Sequence, residues 1–169
     1  MNTYFQKQYK SPFMACSIYQ PDEPVATDIV YADTPAIDSG VTAAQFFVGT
    51  KLLVCDIYPV KTDKQFVNVL LDNIRNRGAM TKLISDSARI EISNKVQDIL
   101  RNLMISDWQS EPHQHHQNPA EQRYQVVKWL TNNLLDCSGA SGSHWFLAVS
   151  HVYLLLNHTV NELQSHCHC

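Results

Sequence analysis

The sequence of 169 residues has no excess of positive charge. It contains 13 lysines and arginines against 16 aspartates and glutamates, so its formal net charge is -3 at pH 7. This balance gives no general attraction to polyanions, because lysine and arginine supply most of the non-specific affinity of proteins for nucleic acid. Any contact with nucleic acid therefore requires a local basic patch.

Long apolar runs are also missing. The stretch MNTYFQKQYK lacks the apolar core of a signal peptide, and the most apolar segment, WFLAVSHVYLLL at 145–156, is too short to span a bilayer. The five cysteines are an odd number and widely spread, which does not indicate a disulfide framework. We therefore expect an intracellular protein with reduced thiols and no membrane partner.

The composition and residue pattern of the sequence change near residue 28. Residues 1–27 mix proline, charge and aromatic residues without a period, which predicts an extended lead-in. Three β-rich runs follow: DIVYAD, VTAAQFFVG and KLLVCDIYP. Phe66, Leu70 and Ile74 then repeat every four residues, and Thr62 with Gln65 forms a plausible capping box for this helix.

The second half alternates strands and helices. Residues 80–86 predict a strand, SNKVQDILRNLM a helix, ISDWQSEP a short strand, and the segments 119–135 and 145–156 two more helices. The resulting order, β-β-β-α-β-α-β-α-α, predicts an α/β fold with a mixed five-stranded sheet flanked by helices. We expect one domain at 28–158 and a tail at 159–169.

Three carboxylates are candidate site residues in this order of strands and helices. The first and fourth strands become parallel neighbours, so Asp33, within or ending the first strand, and Asp86, ending the fourth, meet at one end of the sheet. Glu121 opens the helix after the last strand, where we expect it to close the cleft. Asp28 and Asp38 are rivals for the first acid, but Asp38 lies in the turn sequence AIDSG and Asp28 at the start of the strand.

The contexts VYADT, ISDSA and QNPAEQR around Asp33, Asp86 and Glu121 resemble the integrase catalytic core of copia-type retrotransposons, which is related to retroviral integrases and ribonuclease H-like folds. The resemblance covers about residues 28–158. Between Asp86 and Glu121 lie 34 residues (121 − 86 − 1), one fewer than the family spacing. Ser87-Ala88 replaces the family's Asn-Gly after the second acid.

This resemblance implies a ribonuclease H-like fold and a polynucleotidyl transferase that processes DNA 3′ ends and joins them to target DNA. It implies that Asp33, Asp86 and Glu121 hold two Mg²⁺ or Mn²⁺ ions, for which oxygen ligands are suited. Lys128, two helical turns after Glu121, and more weakly Arg123 and Thr34, are the expected DNA contacts. Self-association and, for an active integrase, a nuclear location are further expectations.

Other interpretations stay open at this point. A ribonuclease H-like nuclease would use a similar metal cluster, and a decayed element fragment would fold, bind nucleic acid weakly and catalyse nothing. Glu121 also suits a helix cap with Asn118 and Pro119. The histidines in HQHHQN at 113–118 favour a solvated loop over a zinc site, since partner ligands at zinc spacing are missing nearby. The terminal HCHC is expected to fray.

Overall fold

The computed structural model describes residues 18–62, 65–85, 93–109 and 119–165, with side chains described up to residue 159. The predicted order of strands and helices is confirmed in these ranges. The elements are β1 (Pro24–Tyr31), β2 (Ala43–Gly49), β3 (Cys55–Val60), α1 (Phe66–Arg77), β4 (Lys82–Ser85), α2 (Asn94–Asn102), β5 (Ser106–Gln109), α3 (Pro119–Ser138), a 3-10 turn (Gly142–His144) and α4 (Trp145–Ser165).

The five strands form one mixed sheet in the order β3-β2-β1-β4-β5. β1 pairs antiparallel with β2, and β2 with β3, as the short connections between them require. β1 pairs parallel with β4, and β4 with β5, because each return passes through a helix. The mixed five-stranded sheet expected from the sequence is therefore confirmed.

Two apolar layers cover the two faces of this sheet. Phe47 and Leu83 point to the layer that contains α1 and α2, whereas Phe46 and Ile84 point to the layer that contains α3 and α4. Every residue of β2 is buried, which suits its position between two strands and two helical layers. The alternation of strand side chains thus assigns each residue of β1 to one layer or the other.

The helix α1 follows its sequence pattern closely. Phe66, Leu70 and Ile74 are buried, and the helix stops at Gly78, whose φ of 95° is accessible to glycine. The capping box predicted with Thr62 is wrong in detail, since Gln65 makes no side-chain cap bond. Its side chain instead accepts a hydrogen bond from the Lys61 backbone N–H at 2.7 Å, which closes the turn before the helix.

Two elements extend into the segments expected as lead-in and tail. β1 begins at Pro24, inside the expected lead-in at 1–27, and proline is accepted at the first position of a strand. α4 continues to Ser165, into the expected tail, because no glycine or proline interrupts the chain after residue 156. In the described ranges, no helix is long and apolar enough to cross a membrane.

Candidate functional site

The side chain of Asp28 belongs to the face of β1 that α3 and α4 cover. Ala26, two residues earlier, is fully buried in the apolar layer of those helices, and strand alternation puts Asp28 on the same side. Asp28 is half-buried, and its Oδ1 accepts the backbone N–H of Ile29 at 2.8 Å. It is a carboxylate inside the strand and not at its start.

Glu121 lies on the first turn of α3, facing the same side of the molecule. The helix begins at Pro119, as the sequence predicts, and Glu121 is half-buried beside the fully buried Ala120. Tyr124 follows Glu121 by three residues and therefore lies on the same side of the helix. Burial, and then the negative charge of Asp28, raise the pKa of the Tyr124 phenol. The first turns of α3 thus lie close to the Asp28 carboxylate.

Three of the expected site residues line one cleft of about 460 Å³ beside the first turns of α3. Asp33 and Thr34 are exposed in the connection that follows β1, and Lys128 is exposed on α3. The chain brings them together because α3 passes over the end of β1. The same cleft is lined by Tyr31, Tyr124 and Trp145. It is an open surface with one lysine, one carboxylate and several aromatic faces.

Two polar atoms at this cleft are buried without a hydrogen-bond partner in the described part of the chain. They are the Thr131 hydroxyl oxygen and the Trp145 indole Nε1. Unpaired buried polar atoms cost stability, so such atoms in a cleft favour a ligand or ordered water. Both atoms can donate, which suits a group that carries hydrogen-bond acceptors.

Arg123 is not among the residues that line this cleft, and its expected role as a DNA contact stays a prediction. Its guanidinium lies beside the buried thiol of Cys55 in β3, and hydrogen bonding to Arg123 partly offsets the burial that raises the pKa of this thiol. Arg123 is half-buried, and its Nε has no hydrogen-bond partner among the described residues. The arginine points inward because residue 123 lies beside Ala120 and Val127, which face the apolar layer.

Comparison with known proteins was negative at the level of sequence. No family model matches the chain, and no curated protein matches it. Solved structures do match. Two are of the HTLV-2 integrase catalytic core domain in complex with magnesium, in dimeric and trimeric forms; both are 15% identical over 79% of this chain and 84% of theirs, with TM-scores of 0.57 and 0.58.

A third match is an intasome of simian T-cell lymphotropic virus in complex with the PP2A regulatory subunit B56 gamma. It is 15% identical and has a TM-score of 0.60, and the alignment covers 77% of this chain and 48% of the other. The chain has the fold of a retroviral integrase catalytic core. This integrase-core fold agrees with the ribonuclease H-like sheet order and with the class expected from the sequence.

One expected metal ligand, Asp86, and three other features of the sequence lie outside the described residues. Asp86 follows Ser85, the last residue of β4, and is itself outside, as are the cap candidate Asn118, the histidines at 113–116 and the terminal HCHC. Across the ranges that the structure describes, no group of three or more histidines, cysteines, aspartates or glutamates is placed to hold a metal ion. Among the described residues, the expected or rival acids on this side are Asp28, Asp33 and Glu121.

Sequence reasoning missed Tyr124 as a neighbour of Asp28 and placed Asp28 at the start of the strand, whereas it lies inside β1. A better signal was available in the period of the strand, since Ala26, Asp28 and Val30 alternate with Val25, Thr27 and Ile29. That pattern puts Asp28 within a strand buried on both faces. A carboxylate in such a position is unusual and indicates a site.

Proposed function

We propose that this chain is an integrase-type core that cleaves and joins DNA ends in a metal-dependent reaction. The observation that carries the proposal is the packing of α3 on β1: Ala120, next to Glu121, lies in the same buried apolar layer as Ala26, two residues before Asp28. The integrase-core fold supports the same reaction class. The resemblance of the acid contexts to copia-type elements supports a retrotransposon origin.

The acidic site that we propose consists of Asp28 or Asp33, Asp86 and Glu121. Chain positions support Asp28 as the first acid: Ala26 pairs with Ile84, and Asp86 is as far beyond Ile84 as Asp28 is beyond Ala26. Asp33 lies two residues past the end of β1 and is exposed. The expected preference for Asp33 rested on its sequence context alone.

The oxygen ligands of this donor set suit Mg²⁺ or Mn²⁺, two of which would hold the attacking and leaving oxygens of a phosphodiester in line. Glu121, Asp86 and the acid on or after β1 would supply the carboxylate oxygens that hold these ions. Lys128, with Thr34 across the cleft, would hold a phosphate of the substrate strand. Trp145 Nε1 and the Thr131 hydroxyl would donate hydrogen bonds to the same strand.

The test is cleavage and joining of a labelled DNA end in Mn²⁺ by the parent, Asp28→Asn and Asp33→Asn. Both changes remove one negative charge and preserve side-chain shape, so each is the matched control of the other. We expect Asp28→Asn to abolish the products and Asp33→Asn to retain them. The reverse pattern would return the first-acid role to Asp33. Equal, full activity in both variants would exclude a catalytic acid on or after β1.

The same assay separates the alternatives. Cleavage of the RNA strand of a hybrid without joining of DNA ends would indicate a ribonuclease H-like nuclease. A folded, metal-supplied parent that forms no product would indicate a decayed fragment, which the replacement of Asn-Gly by Ser87-Ala88 makes a serious rival. Calorimetric titration of Mg²⁺ and Mn²⁺ into the parent and Asp28→Asn tests the metal independently of turnover.

Self-association is also part of the proposal. Exposed apolar side chains lie on the two helices that cover one face of the sheet, a composition common at interfaces between subunits. They are Val126 and Trp129 on α3 and Leu147, Leu154 and Leu155 on α4. Sedimentation of the parent and a Leu154→Glu variant tests this, and a monomeric parent would contradict it. Access to nuclear DNA, expected of an active integrase, belongs to the same proposal.

A further inference from the structure

A second cavity, of about 220 Å³, lies at the end of the sheet where β1 begins. It is separate from the candidate site, which lies where β1 ends. Apolar residues form most of its wall, and four side chains with charged or amide groups complete it. The apolar lining includes Val25, Phe47, Leu52, Val54 and Met80, and the polar lining consists of Glu23, Asp56, Asn73 and Arg77.

Glu23 is the first unusual feature of this cavity. It is only 9% exposed, and one carboxylate oxygen accepts the backbone N–H of Leu52 at 2.8 Å. No lysine or arginine among the described residues forms an ion pair with it. Gly49 makes room for the carboxylate, because a Cβ at that position would overlap it. A buried carboxylate ordinarily has a cationic partner.

Asn73 is the second feature. It is 2% exposed, and its Nδ2 donates to Asp56 Oδ2 at 3.3 Å, which directs the Oδ1 atom away from Asp56. This Oδ1 is buried and has no hydrogen-bond partner within the described ranges. A buried amide oxygen without a hydrogen-bond donor costs stability, so a ligand that donates would be favoured here. Glu23 and Asn73 therefore present acceptors to one cavity.

Arg77 forms its ion pair with Asp56 and not with Glu23. Its guanidinium donates two hydrogen bonds to the Asp56 carboxylate, at 2.7 and 2.8 Å, and these bonds, with the charge of Asp56 and more weakly that of Glu23, raise the pKa of Arg77. The pair is neutral, so the carboxylate of Glu23 leaves the cavity lining with a formal charge of -1. The occupant that fits is a cation that donates hydrogen bonds.

We propose that this cavity binds a primary alkylammonium group. Its three N–H donors match acceptors on Glu23, Asn73 and Asp56, while an alkyl stem packs on Val25 and Phe47. The volume is below the roughly 300–1,000 Å³ of sites for drug-sized ligands, so the occupant has the size of a side chain. A lysine of a partner polypeptide and a free monoamine share this chemistry.

The experiment titrates n-butylammonium into the full chain and follows the methyl resonances of Val25 and Met80. n-Butanol, which keeps the stem and removes the charge, is the ligand control. Glu23→Gln keeps an oxygen for the Leu52 N–H, and Asp22→Asn removes an adjacent charge whose side chain is 88% exposed. We expect saturable binding of n-butylammonium to the parent and to Asp22→Asn, weakened about tenfold or more in Glu23→Gln.

Equal affinity of the parent for n-butanol would show an apolar cavity only and would overturn the proposal without reference to any variant. No saturable shift with n-butylammonium, or unchanged affinity in Glu23→Gln, would overturn it as well. Titration of Nα-acetyl-lysine N-methylamide separates the two sources: binding equal to that of n-butylammonium indicates a polypeptide lysine, and binding of n-butylammonium alone indicates a free monoamine. Neither result depends on DNA joining.

Discussion

Asp28 in β1 lies close enough to Tyr124 in α3 for its negative charge to add to burial in raising the pKa of the tyrosine. The two residues are separated by nearly a hundred positions in sequence. Their proximity ties the strand acid to the helix that carries Glu121. The candidate site therefore lies where α3 packs on β1.

The contact makes a direct prediction for the Tyr124 phenol. Asp28→Asn removes the charge that favours the neutral phenol, so the pKa of Tyr124 should fall toward its ordinary value. Burial, the larger cause, remains, so the fall should be partial. Tyrosine-specific NMR across an alkaline titration measures it, with Asp33→Asn as the control. An unchanged pKa in Asp28→Asn would mean that the two side chains are not close in solution.

A second prediction concerns Tyr153, whose hydroxyl is buried without a hydrogen-bond partner in the ranges that the structure describes. Burial is the main cause of its strongly raised pKa. The unfolded chain therefore loses this proton first, so stability is unaffected below pH ~10 and falls as the pH rises above that value. Each such tyrosine contributes up to about 1.4 kcal/mol per pH unit to the fall.

Tyr153→Phe should therefore flatten the alkaline loss of stability and leave stability at pH 7 equal or slightly higher, since no hydrogen bond is lost. Urea unfolding between pH 7 and pH ~11 checks this. Tyr19→Phe, at a tyrosine that is 74% exposed, is the control and should reproduce the parent curve. A loss of more than about 1 kcal/mol at pH 7 in Tyr153→Phe would reveal a partner for the hydroxyl.

The third prediction concerns Asn157, whose side chain links α4 to the edge strand β3 by hydrogen bonds. Its side chain accepts the backbone N–H of Cys55 at 2.8 Å and donates to the carbonyl of the same residue at 2.7 Å. Asn157→Ala leaves both backbone groups unpaired and should lower the free energy of unfolding by about 1–3 kcal/mol. Asn133→Ala, at an exposed position of α3, should change it little. Equal losses in both variants would contradict this linking role.

The fourth prediction concerns Lys128 in the cleft beside Asp33. If Lys128 neutralises one DNA phosphate, Lys128→Ala should weaken binding to all DNA sequences similarly and reduce the slope of log K against log salt by about 0.7–0.9. Lys61→Ala, at an exposed lysine after β3, removes the same charge elsewhere. Anisotropy titrations at several salt concentrations measure the slopes. An identical loss of slope in the two variants would show that Lys128 makes no specific contact with a phosphate.

The order of elements could be predicted from sequence because local patterns determine it. Phe66, Leu70 and Ile74 share one face of α1, and the pattern is visible without any knowledge of distant residues. The parallel pairing of β1 with β4 follows from the helix between them. These features need only the period of the side chains and the handedness of connections.

The site could be predicted only in part, because its contacts join distant segments. The preference between Asp28 and Asp33 depended on where β1 ends, and the strand stops at Tyr31 and leaves Asp33 in an exposed connection. The inward direction of Arg123 depends on Cys55, a partner 68 positions earlier (123 − 55). A helix pattern alone cannot reveal such a partner.

The rate of DNA-end joining in Mn²⁺ by the parent and by Glu121→Gln tests the central claim most directly. The substitution keeps the shape of the side chain and a cap-forming oxygen but removes the charge proposed to hold a metal. Loss of about 3 kcal/mol of transition-state stabilisation would slow joining by more than a hundredfold, with an unchanged melting curve. We predict that result. Joining at equal rates by the two proteins, or no joining by a folded parent supplied with metal, would contradict it.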